Sequence, residues 1–258
     1  MNIDLSNKVA FVTGGSKGIG AGIVEVLTEC GANVGFMART EKEAKDFEKE
    51  INARNGGRSF AIIGDVAKEA DVQNAIEQTV LQFGQLDYGI NNAGIAGEFN
   101  LLHETDTDNW KNVLAVNLDG VFYSMKYEIQ EMLKNGAGAI VNIGSVEAHT
   151  ILSRNPAYTT TKHGIIGLTK TAAADYADKG IRVNTVSPGV IDTPLVASAE
   201  STPGLVKIIP TKRMGTIREI GYTVAFLLSD YSAYTTGSEF LVEGAFLLAA
   251  GLSSNNAQ

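Results

Sequence analysis

Seven short apolar runs, separated by longer segments with helical periodicity, leave this chain few architectures to choose from. The runs fall at 9–12, 34–37, 60–63, 86–90, 139–143, 182–186 and 239–242. The first, Val9-Ala-Phe-Val12, is continuous and is cut off by Thr13-Gly14-Gly15. Most of the runs lack polar alternation, which is how strands covered on both faces of a parallel sheet read. Between them, Thr40-x-x-Glu43 reads as a capping box ahead of Ala44, Phe47 and Ile51 on one helical face. Val72, Ile76, Val80 and Phe83 form a second stripe, closed by Gly84. The stretch 110–133 is mostly helical, with a break expected near Asp119-Gly120. Asn155-Pro156 reads as the N-cap and first-turn proline of a helix running to about Asp178, and 218–229 is a last helix. No repeat, linker or composition shift divides the chain. The pattern predicts one α/β domain over 1–258, a doubly wound parallel seven-stranded sheet with helices on both faces.

Composition narrows the function classes. Hydrophobic residues make up 44% of the 258 and charged residues 19%, enough to bury a sizeable core. The net charge of −8 argues against nucleic acid as a partner, because phosphate backbones need a basic face. Cys30 is alone, so no intrachain disulfide is expected. The start carries Asp4 and no apolar h-region, unlike a signal peptide. The longest strongly apolar stretch, 245–252, is far short of the ~20 residues that span a bilayer. A cytoplasmic protein without membrane contact is expected. His103, His149 and His163 lack ligand spacing, so no metal site is expected.

The most informative turn follows the first run. Thr13-Gly14-Gly15-Ser16-Lys17-Gly18-Ile19-Gly20 leads into a helix expected from Ala21 to Glu29. In a parallel sheet this turn lies at the carboxyl edge, where ligands bind. Glycines admit a pyrophosphate close to the backbone, and the helix start adds free N–H groups and partial positive charge. The spacing is Gly-x3-Gly-x-Gly and is not that of a Walker loop.

Taken together, five motifs resemble those of the short-chain dehydrogenases/reductases in kind and order. They are Thr13-Gly14-x3-Gly18-x-Gly20, Asn91-Asn92-Ala93-Gly94, Ser145, Tyr158-x3-Lys162 and Pro188-Gly189. The likeness runs from about Asn7 to Ala245 and is to the short single-domain branch with an Asn-Ser-Tyr-Lys tetrad. It implies a Rossmann-type fold, a nicotinamide cofactor and the catalytic residues Asn117, Ser145, Tyr158 and Lys162. The implied cofactor contacts begin with Gly14, Ser16, Lys17, Gly18, Ile19 and Gly20 in the loop. Ala38 and Arg39 end the second run, and Asp65 and Val66 follow the third. Asn91, Ala93 and Gly94 follow the fourth, Tyr158 and Lys162 contribute directly, and Pro188, Gly189, Ile191 and Thr193 follow the sixth.

Cofactor choice can be read from charge. An acid about 20 residues after the loop grips adenosine ribose hydroxyls in NAD-preferring proteins. Here Ala38 occupies that place, Arg39 follows it and Lys17 lies in the loop. Two cations without an acid suit a 2′-phosphate, so NADP(H) is favoured, with NAD(H) as the alternative. Asp65 suits either an adenine contact or a cap for a helix near 67–82.

The reacting centre rests on Tyr158 and Lys162, which share a helix face at i and i+4. A free tyrosine has a pKa of about 10 and is a poor acid/base near neutrality. A nearby ammonium and an oxidised nicotinamide favour the phenolate, and a lowered pKa is expected. Tyr158 would then exchange a proton with a carbonyl or alcohol oxygen, and Ser145 would hydrogen-bond the same oxygen. In relatives, Asn117 marks a helix break whose backbone carbonyl binds water, linking Lys162 to solvent.

The stretch 190–215 suits a lid over the substrate. The apolar end, 245–252, suggests burial between subunits, and the resemblance implies a homotetramer. The expected activity is reversible reduction of a ketone to a secondary alcohol. Stretches 94–98, 120–125 and 176–184 look like members acting on cyclic or small alicyclic alcohols. The alternatives are a 3-oxoacyl-[acyl-carrier-protein] reductase and, outside catalysis, a cofactor-binding sensor or scaffold. An enoyl reductase is disfavoured, because those relatives space the Tyr and Lys more widely.

Overall fold

A computed structural model describes residues 3–54, 56–151, 153–193 and 202–250. Seven strands are present: β1 (Val9–Thr13), β2 (Asn33–Ala38), β3 (Ser59–Ile63), β4 (Tyr88–Asn91), β5 (Gly138–Ile143), β6 (Ile181–Pro188) and β7 (Glu239–Val242). All pair in parallel, in the order β3-β2-β1-β4-β5-β6-β7. The chain winds outward from β1 to β3, then returns to place β4 beside β1, with Val12 opposite Ile90. This reversal opens a crevice at the carboxyl edge between the two central strands.

The apolar runs are continuous because both faces of the sheet are covered. In β1, Ala10 and Val12 join one core with Ile23 and Leu27 of α1 (Gly18–Glu29). That core extends to Val224 and Leu228 of α8 (Ile217–Leu228). Phe11, between them, points into the opposite core with Val72 and Ile76 of α3 (Glu69–Phe83) and Met125 and Met132 of α5 (Gly120–Asn135). The same second core takes Ile165 and Ala172 of α6 (Pro156–Tyr176). The remaining helices are α2 (Glu41–Asn52), α4 (Thr107–Leu114), α7 (Thr202–Ile208) and α9 (Phe246–Ala250).

Several boundaries differ from the sequence reading. α1 starts at Gly18, so the loop's last glycine lies inside its first turn. β4 starts two residues later than its apolar run, since Asp87 turns away to bind the Val9 amide at 2.8 Å. Thr40 is the N-cap of α2, but its side chain makes no cap and the expected box with Glu43 does not form. α3 starts after Lys68, and Asp65 accepts from the Ala67 amide at 3.1 Å in a turn ahead of the helix without capping it. The expected break in the long helical stretch is a π-helical turn, Ala115–Asp119, between α4 and α5. Asn155 precedes Pro156 as expected, without a side-chain cap. A capping box does form at Thr216 and Glu219, opening α8.

A buried polar layer runs behind the carboxyl edge. Asn91 Nδ2 donates to Glu128 Oε2 at 3.1 Å and to Asn142 Oδ1 at 2.9 Å. Asn142 in turn donates to Thr169 at 2.9 Å. Glu128 is fully buried, and its Oε1, like Asn91 Oδ1, meets no donor. Burial pushes the Glu128 carboxyl up to about 8 from an ordinary 4.5, against a weaker opposite pull from Asn91. Burial thus favours the neutral, protonated form of Glu128.

A carboxyl whose pKa rises on folding takes up a proton between its unfolded and folded values. Stability is therefore fullest below 4.5 and is lost as pH climbs toward about 8. Glu128→Gln removes this titration at nearly constant shape. Its melting temperature should match wild type near pH 5 and exceed it by about 10 °C at pH 8. Scanning fluorimetry reads the difference, and an offset independent of pH contradicts a neutral Glu128.

Candidate active site

The crevice is a cleft of about 650 Å³ along the carboxyl ends of β1, β2, β4, β5 and β6. Its floor is the turn from β1 into α1. Gly14 has φ +65°, and a Cβ there would sit 3.0 Å from the Ala93 backbone. A Cβ on Gly20 would lie 2.1 Å from the Gly14 carbonyl oxygen, so only glycine lets the helix start pass this close under the loop. The first turn of α1 has no side-chain cap and no acidic residue. Its amides are therefore open to an anion, and the cradle fits a dinucleotide pyrophosphate.

Asn92 fastens the two central strands at the reversal. Its side chain donates to the Thr13 and Gly14 carbonyls at 3.0 and 3.2 Å. Thr13 Oγ1 accepts from the Asn92 and Ala93 amides at 3.0 and 3.1 Å. One strand end thus holds the other, and the cleft wall is built from Ala93, Gly94 and Ile95. Asn117, in the π-helical turn, clamps that wall. Its Oδ1 accepts from the Ile95 amide at 2.8 Å and its Nδ2 donates to the Ile95 carbonyl at 2.9 Å.

Ser145, Tyr158 and Lys162 converge at the β5 end of the cleft. Ser145 follows β5 in extended backbone and accepts from the Glu147 amide at 3.2 Å. Its side chain also hydrogen-bonds Tyr158. Lys162 is buried, donates to the Ile143 carbonyl at 2.9 Å and lies 5.3 Å from the centre of the Tyr158 ring. Thr159 donates to the Glu147 carboxylate at 3.2 Å, fixing that charge beside the pair.

Electrostatics correct one expectation. Part of the Tyr158 ring faces the cleft, yet its surroundings push the phenol up to about 12, chiefly by desolvation and then by the Glu147 charge. The Ser145 bond opposes this more weakly. Desolvation also pulls Lys162 down to about 8, against Glu147. A lowered tyrosine pKa is thus not a property of the protein alone: burial and the Glu147 charge both favour the phenol. The site holds a protonated phenol beside a hydroxyl, a donor pair suited to a carbonyl oxygen.

Comparison with known proteins places this geometry. Residues 14–246 match a family model described as "Enoyl-(Acyl carrier protein) reductase". A cyclohexanol dehydrogenase from Acinetobacter sp. (strain SE19) is 42% identical over 246 residues, covering 95% of this chain and 97% of that one. The chain belongs to the short-chain dehydrogenase/reductase family. It is a carbonyl/alcohol oxidoreductase, and membership implies a nicotinamide cofactor. A 3-oxoacyl-(acyl-carrier-protein) reductase from Staphylococcus epidermidis is 41% identical over 241 residues, covering 92% of this chain and 98% of that one. The solved structure of a levodione reductase superposes with TM-score 0.90 at 29% identity, covering 95% of this chain and 99% of that one.

Most residues picked out by resemblance to the short-chain dehydrogenases/reductases line the cleft. Ser16, Lys17, Gly18 and Ile19 do so from the loop, and Ala38, Arg39, Asp65 and Val66 from the β2 and β3 ends. Pro188, Gly189, Ile191 and Thr193 close the β6 side. Two do not line it. Asn91 points away, into the polar layer with Glu128 and Asn142, because the strand pleat turns alternate side chains to opposite faces. Gly20 lies beneath the loop. Asn92 lines the cleft as part of the Asn91-Asn92-Ala93-Gly94 motif, and Glu43 lines it without having been picked out. Glu43 was assigned to a capping box, and its alternative partner lies on another element. His149 binds Glu239 Oε2 at 2.8 Å, while Glu239 Oε1 accepts from Ser187, so His149 ties the loop after β5 to β7.

Gly20→Ala forces the loop off the helix. Affinity for nicotinamide dinucleotides should fall by roughly tenfold or more. Titration followed by nucleotide fluorescence measures this, and unchanged binding contradicts the close approach as the basis of the cradle.

Proposed function

We propose that this chain is an NADP(H)-preferring carbonyl reductase that reversibly converts a ketone to a secondary alcohol. The observation that carries the reading is the meeting of Ser145, Tyr158 and Lys162 in one cleft with the open start of α1. When bound, the nicotinamide supplies or accepts the hydride. Tyr158 holds the proton given to the substrate oxygen, and Ser145 donates a hydrogen bond to that oxygen as charge gathers on it. Lys162 steadies the ribose side of the cofactor and, as a cation, favours return of the proton from alcohol to Tyr158. Asn117 shapes the wall through Ile95, and the backbone of its π-helical turn offers a path to solvent for Lys162.

Preference for NADP(H) draws support from Ala38 in place of an acid and from Arg39 and Lys17 at the same end of the cleft. Asp65 and Val66 would hold the adenine, and Gly189, Ile191 and Thr193 the nicotinamide. The substrate lid is assigned to about 190–215, of which 194–201 lie outside the described residues. A homotetramer draws support from apolar side chains open to solvent near the sheet edge, among them Leu241 and Leu248.

A cyclic or small hydrophobic ketone is favoured by the likeness to the cyclohexanol dehydrogenase and the levodione reductase. The likeness to the 3-oxoacyl-(acyl-carrier-protein) reductase supports a second reading, a carrier-linked substrate. Rates on cyclohexanone and on an acetoacetyl-carrier thioester separate the two.

Two measurements test the mechanism. Tyr158→Phe should lower turnover by about a thousandfold while leaving NADPH affinity near wild type. Retained turnover removes Tyr158 from its role. The pH profiles should also diverge. Reduction needs the phenol, which stays protonated well above neutrality because it lies near 12 in the cofactor-free protein. Its kcat/KM should stay level to about pH 9, while oxidation, which needs the phenolate, should climb with pH. Parallel profiles contradict the assignment.

A further inference from the structure

Lys17 is already engaged. Its Nζ lies 2.7 Å from Glu43 Oε2, reaching from the loop after β1 to the first turn of α2. The approach lacks hydrogen-bond alignment, so charge alone holds the two together, with Oε2 shielded from water. Both residues line the cleft with Arg39, Thr40 and Asp65. Arg39 makes no ion pair among the described residues, although it is the nearest cation in sequence to the end of β2. The two cations of this end are thus unequal: one stands free and one carries a counter-charge.

The position of Glu43 follows from the failed capping box. Thr40 caps α2 by position only, and the Glu43 side chain does not fold back on the helix start. It turns toward the cleft, where Ala38 leaves room that an acid at the end of β2 would fill. The carboxylate missing from β2 is thereby replaced by one delivered from α2.

We propose that Glu43 is a specificity-determining residue that competes with the 2′-phosphate of NADP(H) for Lys17, and so limits the preference for that cofactor over NAD(H). The inference rests on the phosphate reading of this end of the cleft. A 2′-phosphate must displace Glu43 from Lys17 or sit beside its negative charge, whereas a 2′-hydroxyl leaves the ion pair intact. Arg39 then carries most of the phosphate recognition in the wild-type protein, and Lys17 contributes fully only once Glu43 is neutral.

Four proteins decide it: wild type, Glu43→Gln, Lys17→Met and the double variant, each titrated with NADPH and with NADH by nucleotide fluorescence. Glu43 is half-exposed, so the variants are expected to melt with the wild type, and Glu43→Ala repeats the measurement without an amide. Glu43→Gln should tighten NADPH by roughly fivefold and change NADH by less than about twofold. In the Lys17→Met background the same change should move NADPH by less than about twofold. No gain for NADPH, an equal gain for both cofactors, or a gain that survives the loss of Lys17 overturns the proposal. Arg39→Asp, titrated alongside, separates this from the phosphate reading. If it leaves NADPH binding intact, the phosphate reading fails; if it weakens NADPH while Glu43→Gln has no effect, only the role of Glu43 falls.

Discussion

The junction between β1 and β4 is the constraint on which the rest of this molecule depends. The chain leaves β1 in one direction, builds two strands and returns to the other side of the same strand. A gap in the helical cover follows at the carboxyl edge, because the connections on either side diverge. At the foot of that gap four hydrogen bonds among Thr13, Gly14, Asn92 and Ala93 fasten the two strand ends to each other. The loop glycines then bring α1 against this fastened edge, with its first amides uncapped. Cradle and fastening are one construction: the atoms that fasten the strand ends also fix the floor of the cleft.

Behind that floor the sheet carries polar side chains where an apolar layer would pack more simply. Asn91, Asn142, Thr169 and Thr185 bond one another across β4, β5, β6 and α6. Burial favours the neutral form of Glu128 beside them, against the weaker opposite pull of its bond from Asn91. Directed bonds of this kind fix register where apolar contacts tolerate slippage. Through Thr169 the layer ties α6 to β5 and β6, so the helix and the strands keep one spacing.

Much of this was legible in the sequence because the fold has a strong period. Non-alternating runs such as Val9–Val12 imply cover on both faces, and the two cores on either side of Phe11 bear that out. The glycine turn could be placed because it follows a strand, whereas Ser145 and the pair Tyr158 and Lys162 were picked out by the resemblance to the short-chain dehydrogenases/reductases. What escaped was pairing across elements. Whether Glu43 caps its own helix or reaches Lys17 depends on a rotamer and on how two elements meet, and neither is written in a local pattern. Asn91 and Asn92 look interchangeable as a dipeptide, yet the pleat sends one to the cleft and the other to the polar layer. The Tyr158 pKa escaped for a different reason. Sequence names the neighbouring charges, but the desolvation that chiefly raises it is a property of packing.

That last point bears on how direction is controlled. Burial and the Glu147 charge favour the protonated Tyr158, which on the proposed mechanism would suit the proton donation that reduction needs. Oxidation requires the phenolate, and the protein's own cation is weakened for this task, since burial draws Lys162 down toward 8 and spends one of its donors on the Ile143 carbonyl. The missing positive charge must arrive with the oxidised nicotinamide. On the proposed mechanism the acid/base state of Tyr158 would follow the cofactor's redox state, since a positive charge beside the phenol favours the phenolate. If Arg39, Lys17 and Glu43 sort the cofactor's other end as proposed, the molecule that brings the hydride would also bring the charge that sets the proton.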